Sequence, residues 1–440
     1  MKFKVSILLV IVVLLQTDDV FCQNKSSPNV ILITVDALRP DHLGCYGYAK
    51  NTSPNIDKLA KEGVLFTQAI SQAPYTAASF AATFTSTFPR KHRVIGLNER
   101  LNKDNLTLAE ILREKGFATK AITSNFILSN ALGFNQGFEP QEFKDYEGKD
   151  ETRVAINWLK ENKDKRLLLW VHYMEPHAPY DPLPEYNIFV NSNDEFAALP
   201  IVENEIGEDG IPKFIVRNNR RDLNYYIGLY DGEIRTADAN IGRLLKELER
   251  LELMDKSIVI LFADHGEELG DHGFYFAHGT VLYDSSVRVP LIIKFKNFVN
   301  NPEIIYPQVR LLDISPTILD ILGFKIPVGM QGNSLLPLIT RRATLPLLAY
   351  SYTANRFAVR FKGYKLIYNH HENPGFELYD LNSDPFERIN IMNGSLPIAQ
   401  ILKKKLLEEM QRVIPKEMPT PYIVEDEEII KRMKSLGYIQ

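Results

Sequence analysis

The sequence predicts an α/β fold: a doubly wound, mostly parallel sheet with a smaller C-terminal α+β domain. Three observations predict it. Strand-like runs recur at Asn29–Val35, Ala118–Thr123, Leu167–His172 and Ser257–Ala263, and the continuous apolar run at Asn29–Val35 has the pattern of a strand buried on both faces. Capped, helix-length segments lie between them. After about Thr340 the texture changes to short runs that read as a hairpin and a helix.

The elements follow in order. Asn29–Val35 closes on Asp36. Pro54 to Glu62 reads as a helix with Ser53 as N-cap, Pro54 in the first position and Gly63 past its end. Thr107 to Lys115 repeats the design, with Thr107 and Glu110 at capping-box spacing and Gly116 as terminator. Ser192 to Asp209 is acidic and polar and is expected to be a surface loop. From Leu223 to Leu251, Tyr226, Tyr230, Ile234, Ala237, Ile241, Leu244 and Leu248 recur at steps of four and three, one apolar helical stripe. Pro337 to Pro346 is linker-like. Arg356–Phe361 and Tyr364–Tyr368, joined at Lys362-Gly363, read as a hairpin, and Phe376–Leu381 as a further strand. Helices are expected at Ile398 to Val413 and Glu425 to Leu436. The expected division is a signal peptide over 1–22, a catalytic-type α/β domain over 28–340 and a small α+β domain over 341–440.

Among 440 residues, 51 Lys and Arg face 55 Asp and Glu, for a net charge of −4. That balance speaks against an electrostatically driven nucleic-acid binder. The 2 cysteines, Cys22 and Cys45, allow no disulfide framework and no Cys-based zinc cluster. Lys2 and Lys4 precede the apolar run Ile7 to Leu15, which has signal-peptide length, and Val20 and Cys22 suit cleavage after Cys22. The expected location is secreted or periplasmic, an uncleaved anchor being the alternative. No other stretch approaches membrane-spanning length. Sequons start at Asn24, Asn51, Asn105 and Asn393.

Function is expected at the carboxyl ends of the strands. Asp36 sits at one such end, and Asp264-His265 follows the run Ile258 to Phe262 at another. A hard oxygen and a nitrogen there could bind a divalent cation together with Asp36; a histidine satisfied by its neighbour is the plainer alternative. His172 to Tyr180 carries two histidines among rigid prolines and suggests a shaped pocket wall or a stiff turn. Asp271, His272 and His278 lie in a Gly-rich loop. Pro74 followed by Ala77, Ala78, Ala81 and Ala82 suggests a buried helix with Thr76 as N-cap, in the field that attracts anions.

Taken together, these pieces resemble the sulfatase family of the alkaline-phosphatase-like hydrolases. The resemblance runs through Asn29–Asp36, Leu43-Gly44-Cys45-Tyr46-Gly47, Ser53-Pro54-Asn55, Thr76–Phe80 and Phe88-Pro89-Arg90. It continues through Glu175–Tyr180, Tyr230–Ile234, Asp264–Glu267, Arg288–Leu291, Gly363–Ile367 and Leu378–Leu381. It implies one divalent metal ion, calcium first, magnesium or manganese otherwise, held by Asp36, Asp264 and His265. Thr76 falls on the nucleophile position, which also touches the metal. His177 matches a substrate-contacting histidine, and His278 falls near a lysine that binds the ester's oxygens. His92 and Arg39 are the remaining expected substrate contacts. The implied substrate is a small-molecule or glycan ester of sulfate or phosphate.

Two departures stand out. The usual nucleophile motif is C/S-x-P-x-R, oxidised to formylglycine, where this chain has Thr76-Ala77-Ala78-Ser79-Phe80. Threonine cannot yield that aldehyde, because its Cβ bears a methyl group. The usual Asp-Asp metal pair is Asp36-Ala37 here. A threonine hydroxyl can still attack phosphorus or sulfur when a metal or base activates it. The alternative is a binding protein that has kept the fold and lost turnover.

Overall fold

The computed structural model describes residues 27–96, 99–139, 148–190, 198–296, 303–341, 347–370, 374–392, 396–413, 427 and 429–431. The first half runs β1 (Asn29–Val35), α1 (Pro54–Lys61), β2 (Val64–Ile70), α2 (Thr76–Thr85), α3 (Pro89–His92), α4 (Leu108–Glu114), β3 (Ala118–Thr123), α5 (Gly148–Asn162) and β4 (Leu167–Tyr173). Next come β5 (Ile201–Val202), β6 (Ile211–Pro212), α6 (Leu223–Arg250), β7 (Ser257–Ala263), β8 (Glu268–Leu269), β9 (Tyr275–Ala277), α7 (Asp284–Val287) and β10 (Arg288–Lys294). The chain continues with β11 (Glu303–Ile305), β12 (Val309–Arg310), α8 (Ile314–Ile321) and α9 (Leu336–Ile339). It then forms β13 (Ala349–Tyr352), β14 (Arg356–Phe361), β15 (Tyr364–Asn369), β16 (Gly375–Asp380) and α10 (Pro397–Val413).

The large sheet has the order β11-β2-β10-β7-β1-β4-β3, with β12 beside β2. β1 pairs parallel with both β4 and β7, and β3 pairs parallel with β4. β10 is antiparallel to both β7 and β2. Every residue of β1, β4 and β7 is buried, as the unbroken apolar runs require. Each buried Val, Leu or Ile there contributes roughly 1.5–3 kcal/mol relative to exposure. Register puts Val35 opposite both Tyr173 and Ala263, so Asp36 and Asp264 emerge at one level of the carboxyl edge. His172 stands one step before that edge, opposite Thr34 and Thr123.

The C-terminal sheet is an antiparallel meander, β13-β14-β15-β16. One face packs Phe357, Val359, Leu366 and Leu378 against Leu402 and Leu406 of α10. The other puts Ala358 and Ile367 against Leu282, Val287 and Ile70 of the large domain. The β14–β15 turn holds Lys362 at φ 51° and Gly363 at φ 76°, the left-handed pair that a two-residue hairpin demands. No helix among the described residues is long and apolar enough to cross a membrane.

Several expectations need correction. Strands β2 and β10 were not anticipated. Ser53 occupies the cap position of α1 but makes no capping bond. Its hydroxyl instead donates to Asp57 and accepts from the N–H of Gly44, while Asp238 accepts the N–H groups of Asn55 and Ile56. Thr76 is the first residue of α2 and Tyr75 its cap, so Thr76 is not the N-cap. Part of the acidic stretch 192–209 is the short strand β5, paired with β6. Part of the linker-like stretch is helix α9. The signal segment 1–22, Asn24, Asn393 and most of the expected helix at 425–436 lie outside the described residues.

Candidate active site

Helix α2 is buried on all sides over its 10 residues. Ala77, Ala78, Ser79, Ala81 and Ala82 are small enough to let it pass behind the sheet edge. Ser79 Oγ donates to the carbonyl of Asp264 at 2.7 Å, which fixes the helix to the end of β7. Thr76, at the helix's positive end, therefore faces the strand ends. Its Oγ1 lies 3.3 Å from His265 Nε2.

Around that contact sit fully buried ionisable groups. Asp36 Oδ2 accepts from Asn125 Nδ2 at 2.9 Å and lies 3.2 Å from His172 Nε2. Asp36 Oδ1 has no hydrogen-bond donor and lies 3.3 Å from His265 Nε2. Asp264 Oδ1 accepts the N–H groups of His265 and Ala37 at 2.9 and 3.4 Å. Asp264 Oδ2 has no hydrogen-bond donor and lies 3.5 Å from His265 Nε2. His265 Nδ1 donates to the carbonyl of Gly266 at 2.8 Å, which leaves Nε2 as a lone pair. Asp36 Oδ1, Asp264 Oδ2 and Thr76 Oγ1 thus all lie within 3.5 Å of His265 Nε2.

Electrostatics follow from this crowding. Burial pushes the Asp36 carboxyl up, but His177, the hydrogen bond from His172 and the nearby His265 outweigh it and hold Asp36 well below the usual carboxylate range. Burial, and then the Asp36 charge, push Asp264 well above that range. Burial, and then His278, hold His265 down to about 3. Two orphaned carboxylate oxygens beside a neutral imidazole are groups that could hold a divalent cation. Asp36, His172 and Asp264 also present ligand atoms within 4.8 Å of one another. Hydrogen bonding separates the two histidines. Thr34 Oγ1 accepts from Trp170 Nε1 at 2.9 Å and has two acceptors in reach, His172 Nδ1 at 2.9 Å and the Val171 carbonyl at 3.3 Å; donation along the shorter contact leaves His172 Nε2–H to orient Asp36. That arrangement puts an N–H of His172 on Asp36 and a lone pair of His265 toward Thr76.

A second pair of imidazoles forms the open side. The His278 ring lies 4.3 Å from that of His265 and 4.9 Å from that of His177. His278 Nδ1 sits 3.1 Å from Glu267 Oε1. Burial disfavours its charged form, but Glu267 prevails and raises its pKa above the ordinary value. Tyr180 Oη holds the other Glu267 oxygen at 3.4 Å. His177 Nδ1 donates to the carbonyl of Ala178 at 2.6 Å, leaving Nε2 as its other polar atom.

Five of the expected residues, Asp36, Thr76, Asp264, His265 and His278, are joined here by hydrogen bonds, ion pairs or ring contacts, and His177 adjoins them through His278. Arg39 and His92 have other partners. The Arg39 guanidinium binds Asp41 at 2.8 and 3.0 Å, the Glu267 carbonyl at 3.1 Å and the Asp271 carboxylate. It ties the loop after β1 to the loop after β7. His92 is fully buried, accepts the N–H of Val94 at 3.2 Å and is held by burial to about 3. His172, Asn125 and Glu267 are additions. His172 stood among the strand-end histidines and read as pocket wall. Asn125 follows β3 by two residues, so a polar residue just past a strand end was its only signal.

An α/β sheet that gathers carboxylates, imidazoles and a hydroxyl at its carboxyl edge fits the class of alkaline-phosphatase-like hydrolases of sulfate or phosphate esters. Residues 28–324 match the Sulfatase family, and residues 270–416 match the C-terminal region of N-sulphoglucosamine sulphohydrolase. The chain belongs to the Sulfatase family. It is 24% identical to an N-acetylglucosamine-6-O-sulfatase of Bacteroides thetaiotaomicron, over 89% of this chain and 87% of the relative. It is 26% identical to an arylsulfatase of Clostridium perfringens, over 87% and 94%. The solved phosphonate monoester hydrolase of Agrobacterium radiobacter superposes with a TM-score of 0.72 at 21% identity, covering 88% of this chain and 96% of that one.

Proposed function

We propose that this chain is an exported, metal-dependent hydrolase of sulfate or phosphate esters, with Thr76 as nucleophile at the position where formylglycine enzymes carry their converted residue. In this reading a signal peptide covers 1–22, the catalytic domain 28–340 and the small domain 341–440. The observation that carries it is the approach of Thr76 Oγ1 to His265 Nε2 at 3.3 Å, beside the two orphaned carboxylate oxygens.

Asp36, Asp264 and His265 would hold the cation, with Thr76 beside it, and His172 and Asn125 would fix Asp36. When bound, a divalent cation supplies positive charge to the ester's non-bridging oxygens and favours the threonine alkoxide. Calcium suits the hard carboxylate oxygens, with magnesium or manganese the other candidates. Thr76 Oγ1, its proton already lost to bulk water, attacks as the alkoxide and forms a bond to sulfur or phosphorus as the bond to the ester oxygen breaks; it departs as the alkoxide again in the second step. His278, kept charged by Glu267, gives its Nε2 proton to the departing oxygen. His177 Nε2 contacts the ester from the same side. The neutral His278 then takes a proton from water, and the hydroxide breaks the Thr76 ester to release sulfate or phosphate. A threonine ester has no geminal diol to collapse, so water must attack the sulfur or phosphorus itself. This favours phosphate esters, whose covalent intermediates accept that attack.

The test is a panel of 4-nitrophenyl sulfate, phosphate, phosphodiester and phosphonate with added Ca²⁺, Mg²⁺ or Mn²⁺. Thr76→Ala is expected to cut kcat about 10³-fold or more, with Thr76→Ser retaining part of the rate. Unchanged turnover in Thr76→Ala would remove Thr76 from the mechanism. One observation favours the alternative, a binding protein without turnover. Phe80 stands where the formylglycine motif has its arginine and is fully buried, its ring 4.9 Å from Trp170 and 5.1 Å from His172. Wild-type protein that binds metal yet turns over none of the four esters would establish that alternative.

A further inference from the structure

The segment that carries His278 joins β9 to α7, and the C-terminal sheet holds it. Arg356 Nη1 donates to the carbonyl of Thr280 at 2.6 Å, two residues after His278. Tyr283 Oη donates to Glu377 Oε2 at 2.9 Å, and the Tyr283 ring stacks on His272 at 3.5 Å. The N–H of Asp284 donates to Glu387 at 2.5 Å, and the Asp284 carboxylate pairs with Lys365 at 2.9 Å and Arg360 at 3.1 Å. Strand alternation explains why these groups reach across. Phe357 and Val359 face α10, so Arg356, Ala358 and Arg360 face the large domain.

The same sheet holds the other wall. Ser351 Oγ donates to the carbonyl of Ser71 at 2.6 Å, and the N–H of Tyr352 donates to that of Gln72 at 3.0 Å. Both residues belong to the segment leading into Thr76. The two walls meet where a Cβ on Gly279 would lie 3.9 Å from that of Tyr75. The β13–β14 pair therefore grips the approach to Thr76 with one strand and the segment of His278 with the other.

We propose that Arg356 is a positioning residue for His278, and that the C-terminal sheet sets the placement of this imidazole relative to Thr76. Glu267 fixes the tilt of the ring, and Arg356 fixes the backbone on which the ring stands. The inference rests on His278 as the proton donor of the proposed reaction. An imidazole displaced by a fraction of an ångström fails mainly with leaving oxygens that need their proton.

The test is the full chain as Arg356→Gln and Arg356→Lys, beside His278→Ala, on aryl esters graded from dinitrophenyl to phenyl. Phosphates or sulfates are used, whichever the wild type hydrolyses. Arg356→Gln is expected to lower kcat on the phenyl ester about 10-fold or more, with KM within about 2-fold and a much smaller loss on the dinitrophenyl ester. Arg356→Lys is expected to restore most of the phenyl-ester rate. Arg356→Met, which keeps the aliphatic stem, serves as a second removal should the glutamine variant misfold in a thermal scan. Equal loss on every ester, or a rise in KM alone, overturns the positioning role. If His278→Ala itself shows no leaving-group dependence, the proton-donor reading falls and this inference falls with it. If Thr76→Ala keeps wild-type turnover, the nucleophile reading alone falls.

Discussion

Replacing Asp264 with asparagine should stabilise the metal-free protein and remove most of the stabilisation that a divalent cation gives. The ligand atoms of Asp36, His172 and Asp264 lie within 4.8 Å of one another. Two unit charges at that separation repel by roughly 3 kcal/mol at an effective dielectric constant of about 20. Asparagine keeps the oxygen that accepts from Ala37 and His265, and it turns an N–H toward the orphaned Asp36 oxygen. Metal-free Asp264→Asn should therefore be more stable than metal-free wild type by about 1–3 kcal/mol, less than the full repulsion because wild-type Asp264 relieves part of it by taking up a proton. Cation at 100 times its Kd should add about 2.7 kcal/mol to the wild type and far less to the variant. Urea unfolding at pH 8, in EDTA and then with graded Ca²⁺, measures both differences. A variant less stable than wild type in EDTA, or a wild type indifferent to every divalent cation, would refute the reasoning.

Two further outcomes follow from single carboxylates. Glu267→Gln should draw the alkaline limb of the kcat profile to lower pH, because Glu267 raises the pKa of His278 against burial; a limb that stays in place removes His278 from that step. Glu233 is pushed up to about 8 by burial and by Glu175, so the folded chain binds a proton that the unfolded chain has released. Wild-type stability should then fall as pH rises from about 4.5 toward 8, and Glu233→Gln, which still accepts the N–H of Asp181, should flatten that fall in urea titrations at pH 5 and 8.5.

What the sequence made legible were features with strong local causes. β1 and β7 are almost unbroken apolar runs, β3 is a strand-like run that contains Lys120, and the bounds of all three read directly from the chain. The Thr107–Glu110 capping box is present as its spacing requires. β2 was hidden because Thr67-Gln68, both half-buried, break its apolar run. β10 was hidden by Pro290, which speaks against a strand; the pairing with β2 shifts register between Val289 and Leu291, and the proline sits in that irregularity. The carboxylates and the Asp264-His265 pair stood out because polar residues ending buried strands have few bland explanations. Glu267 and Asn125 did not, since their meaning depends on partners 11 and 89 residues away.

Phe80 carries a lesson about ancestry. Its ring fills the space among Trp170, His172 and Phe84, all in contact at 4.7 to 5.7 Å. A guanidinium put there would strand a charge among aromatic rings, at a cost of several kcal/mol. A cysteine at position 76 would thus gain neither the proline nor the arginine of the formylglycine motif without a concerted rebuilding of the helix's surroundings. On the proposed reading, the threonine and formylglycine chemistries are separated by surroundings that no single substitution rebuilds.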